Sequence, residues 1–164
     1  MARSLPLDNN RNPITNFDNG IPVRKTIDLS SISTSASSPF DIFTVTGVNL
    51  AKVWGVCKTD LVDTTSSISV SIGFSGSTSI VLGETTAIDI DEGELWTRGT
   101  GGTFLTLGAI DFDSSSIAQF VMRDSTDIIG TMTGHDAGDG VTSGIIDFYC
   151  LYVPMTDEAE ITAV

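Results

Sequence analysis

Alternation of apolar and polar positions is clearest over residues 67–74. Ile68, Val70, Ile72 and Phe74 point one way and Ser67, Ser69 and Ser71 the other, which predicts a strand with one dry and one wet face. Ser75-Gly76-Ser77 then reads as a hairpin loop leading into a strand over 78–82. Over 85–91 the alternation returns, with Thr86, Ile88 and Ile90 inward and Asp89 and Asp91 outward. Strands are also predicted over 40–46, 50–58, 94–97, 104–107, 118–122, 127–133 and 141–153. Ile117, Phe120 and Val121 recur at helical spacing, so 114–122 is also compatible with a short helix. Many short strands without helical alternation predict an all-β fold: an antiparallel β-sandwich, a jelly roll or a β-barrel-like domain.

Two segments are apolar on both faces. In 141–153 the odd positions include Val141, Ile145, Tyr149, Leu151 and Val153, and the even ones Ile146, Phe148, Cys150 and Tyr152. Phe40 and Ile42 likewise stand opposite Phe43 and Val45 if the strand is regular. Such strands either lie centrally in a sheet or turn one face to a partner. Residues 1–38 read as an extended N-terminal arm ending in a Ser-rich linker. Breakers crowd it at Arg11-Asn12-Pro13, Asp18-Asn19-Gly20 and Pro22, and only Ile27, Leu29 and Ile32 offer much to bury. It is either a loose terminus or an arm that orders against a neighbouring subunit. The β-domain is expected over 39–154, followed by a short acidic C-terminal tail over 155–164.

Composition sharpens this reading. The 164 residues include 19 Ser, 21 Thr and 16 Gly, which suits short strands and tight turns. A net charge of −13 disfavours nucleic acid and anionic membranes as partners, since both select basic surfaces. The opening residues lack the apolar core of a secretory signal. The longest apolar run, 148–155, is far shorter than the roughly 20 residues of a membrane-spanning helix. Cys57 and Cys150 sit in strand-like segments, so two buried, reduced thiols are expected, in keeping with synthesis in a reducing cytoplasm.

No catalytic, cofactor-binding or metal-binding residues are assigned. His135, the single histidine, lies with Asp136 and Asp139 in a Gly-rich stretch without the spacing of a calcium loop, and reads as a solvated turn. Asp89, Asp91, Glu92 and Glu94 form a second acidic cluster that reads as solvated edge charge. Gly73-Phe74-Ser75-Gly76-Ser77 fails the nucleophile-elbow pattern at its last position. Gly99-Thr100-Gly101-Gly102-Thr103 lacks the lysine of a phosphate loop. With Trp54 and Trp96 as the only tryptophans, an aromatic polysaccharide cleft is not expected either. The chain reads as a non-enzyme.

A polar opening, Met1-Ala2-Arg3-Ser4-Leu5-Pro6-Leu7-Asp8, leads through a low-complexity arm to a Ser/Thr/Gly-rich β-domain. That domain closes on Gly144-Ile145-Ile146-Asp147-Phe148-Tyr149-Cys150-Leu151-Tyr152-Val153-Pro154. The layout resembles the small virion structural proteins of tailed bacteriophages, in particular capsid decoration (cement) proteins. The resemblance implies a virion protein made in the host cytoplasm and placed on the capsid exterior. It further implies self-association, most often as a homotrimer, binding to the major capsid protein, and stabilised contacts between capsomers. A phage tail-fibre, head-fibre or host-adhesion β-module is the alternative. A secreted or cell-surface β-sandwich binding calcium or glycan would carry an export signal.

Overall fold

The computed structural model describes residues 20–32, 37–64, 68–86, 90–97, 104–106, 119–134 and 140–164. Eleven strands run through them: β1 (Ile21–Asp28), β2 (Ser37–Thr46), β3 (Asn49–Asp63), β4 (Ser69–Phe74), β5 (Ser77–Thr86), β6 (Glu94–Trp96), β7 (Phe104–Thr106), β8 (Gln119–Met122), β9 (Ile128–Thr133), β10 (Val141–Pro154) and β11 (Glu160–Ala163). A single 3₁₀ turn, Leu29–Ser31, is the only helical element among the described residues, and the Asp28 carboxylate caps it by accepting from the Ser30 amide. Gln119–Met122 is a strand, because its pairing with β3 overrides the local helical spacing.

The strands form two antiparallel sheets, one ordered β1-β10-β3-β6-β7 with β8 also on β3, the other β11-β2-β9-β4-β5. They pack face to face as a sandwich and do not close into one barrel. The pairings are nested. The β4–β5 hairpin is innermost, its two-residue Ser75-Gly76 loop setting Phe74 opposite Ser77; outside it lie β3 with β6 and β8, then β2 with β9, then β1 with β10. β10 also pairs with β3, and β9 with β4, so each level lies beside the next but one and successive levels alternate between the two sheets.

The core follows from side-chain parity. Ile68, Val70 and Ile72 are wholly buried, as their alternation predicts, and Ile128, Met132, Phe148, Cys150 and Tyr152 join them. Ser71 is also buried, because its strand lies between β9 and β5 and faces the buried Thr131 across the pair. In β2 a bulge between Asp41 and Phe43 resets the pleat. Phe40, Ile42, Phe43 and Val45 therefore all enter one core, and the expectation of two opposed faces is corrected. Gly130 is required where it stands, since a Cβ there would lie 2.0 Å from the Phe40 ring.

Both flanks are extended backbone joined to the sheets. Ile21–Asp28, within the expected arm, pairs with β10 over all eight residues. Leu29 is fully buried. Glu160–Ala163, within the expected tail, pairs with β2 and buries Ile161. The two flanks meet where the Lys25 ammonium donates to the Val164 carbonyl. Residues 1–19 lie outside the described residues.

Candidate binding face

The side of the β1-β10-β3 sheet turned away from the core is the chemically distinctive surface. Because Phe148, Cys150 and Tyr152 face inward, Tyr149, Leu151 and Val153 face outward and are half-buried. Register then decides which neighbours they meet. Tyr149 stands opposite Trp54 on β3 and opposite Arg24 on β1; Leu151 stands opposite Lys52 and Pro22; Val153 stands opposite Leu50. Trp54 and Tyr149 stack with ring centroids 5.6 Å apart and planes 9° from parallel. The Arg24 guanidinium lies 5.8 Å from the Tyr149 centroid on the other side. One row of stacked groups thus crosses three strands.

Asp147 anchors this row. Its carboxylate accepts from Arg24 Nη2 at 2.6 Å and from Thr26 Oγ1 at 2.6 Å, with only 2% of its side chain exposed. Burial pushes its pKa up, but the hydrogen bonds from Thr26 and Arg24 and the nearby Arg24 and Lys58 charges hold it below the ordinary carboxylate value. The same hydrogen bond and charge raise the Arg24 pKa. Asp147 is therefore ionised at neutral pH and fixes the guanidinium over Tyr149. Val121 on β8, opposite Leu50, continues the face and is 61% exposed.

The other residues singled out in the sequence separate from this face. Trp96 is 1% exposed and packs on Phe148 in the core, 6.2 Å between centroids. Its indole Nε1 meets no acceptor among the described residues. Cys57 and Cys150 are free and buried. Burial pushes the thiol pKa values up to about 11 and about 12 respectively, so neither is a nucleophile near neutrality. Asp91 and Glu94 tie off a turn, with the Asp91 amide donating to Glu94 Oε2 at 3.0 Å. Asp89, His135, Asp136 and Asp139 lie outside the described residues. Among the described residues no three His, Cys, Asp or Glu side chains are grouped to hold a metal ion.

The two-sidedness of 141–153 points to this face in the sequence. The arrival of Arg24 and Lys52 beside it does not show there, because each is placed by pairing to a strand about a hundred residues away. Comparison with protein-family models, curated proteins and solved structures finds no match to this chain. Its own geometry carries the functional argument.

Proposed function

We propose that this chain is a non-enzymatic structural protein of a tailed-phage virion, a decoration or cement protein bound to the outside of the head. In this reading it self-associates, as a trimer, and clamps neighbouring capsomers through contacts with the major capsid protein. The observation that carries the reading is the outward row Arg24–Tyr149–Trp54 with its flanking Leu50, Leu151, Val153 and Val121. A second apolar and aromatic surface outside the core costs solubility unless another protein covers it, and it supports docking in place of turnover.

The topology supports the viral class. The nested pairings, with β1-β10-β3-β6 in one sheet and β2-β9-β4-β5 in the other, support reading the sandwich as a jelly roll, an architecture common in capsid and lectin domains. Charge supports an exterior position. A chain of −13 faces no repulsion from packaged DNA when it sits outside the shell, and many copies would keep particles apart. The lectin-like alternative is less well served. One tryptophan has a ring face stacked on Tyr149 and is half-buried and the other is in the core, which leaves little open platform for a sugar ring.

Binding to expanded, undecorated phage heads tests the proposal. Purified chain should saturate the heads at hundreds of copies and raise their disruption temperature. Absence of binding to any shell, or a copy number of only a few per virion, would overturn it.

A further inference from the structure

We draw no further inference here: the strongest candidate, the outward aromatic and apolar face of the β1-β10-β3 sheet around the Trp54–Tyr149 stack, belongs to the docking surface already described, and nothing in the structure shows what covers it.

Discussion

Phe148 and Tyr149 are consecutive aromatic residues on opposite sides of one sheet, and truncating each tests the architecture directly. Phe148 is fully buried against Trp96 and Gly55, so Phe148→Ala removes a ring from the centre of the sandwich. Losses of about 3–5 kcal/mol are usual for such a truncation. For a domain of this size, at about 2–4 °C per kcal/mol, the melting temperature should fall by about 6–20 °C. Tyr149 is half-buried and stacks on Trp54. Tyr149→Ala forfeits that stacking, worth about 0.5–1.5 kcal/mol, and part of a ring's burial, for a total near 2 kcal/mol. Urea unfolding followed by tryptophan fluorescence measures both. The protein should be dilute enough that the midpoint no longer depends on concentration, since association would add its own stabilisation. Association should show the opposite order, with Tyr149→Ala the more damaging. Equal stability losses for the two variants, or a Phe148→Ala loss under about 1 kcal/mol, would refute the assignment of the two faces.

Further outcomes follow from the same packing. Gly130→Ala should destabilise through collision with the Phe40 ring, and Phe40→Ala in the same chain should recover part of the loss, since it vacates the space; chemical denaturation of the single and double variants reads this out. Asp147 has a folded-state pKa below its unfolded one, so its contribution to stability is present above the unfolded value of roughly 4 and is lost as pH falls through the folded value. The stability difference between wild type and Asp147→Asn should therefore shrink on acidification from pH 6, and a difference unchanged down to pH 2 would contradict the assignment. Removing residues 1–28 should lower the thermal melt of the sandwich sharply, because β10 then loses eight residues of pairing along its edge.

Fold class is legible from period-two patterns alone, as Ile68, Val70 and Ile72 show by entering the core together. Where pattern reading falls short, the cause is pairing between distant segments. Ile21, Val23, Lys25 and Ile27 do alternate, but Lys25 occupies an inward position and Pro22 an outward one, so the segment reads as an arm. Lys25 is accommodated because its ammonium reaches the Val164 carbonyl, and Pro22 because β1 is an edge strand. Glu160–Ala163 buries a single residue, Ile161, too little signal to separate a strand from a tail. In β2 the bulge between Asp41 and Phe43 shifts the period by one, which no reading of strict alternation anticipates. The outward face is half legible: Tyr149, Leu151 and Val153 announce it, while Arg24 joins only through a partner 123 residues away.

Nested pairing also sets the order in which the chain can mature on the ribosome. The β4–β5 hairpin closes as soon as it emerges, since Phe74 and Ser77 are neighbours in sequence. Each outer level then waits for a later return strand, and β1 waits longest, because Ile21 has its register partner at Tyr152. At about 5–20 residues per second, that interval is roughly 7–26 s of translation. Throughout it, β3 and β1 both lack β10, which lies between them in the finished sheet. Nascent chains halted before Val141 therefore present the β1 and β3 edges that β10 later covers, the kind of surface a holdase would shield.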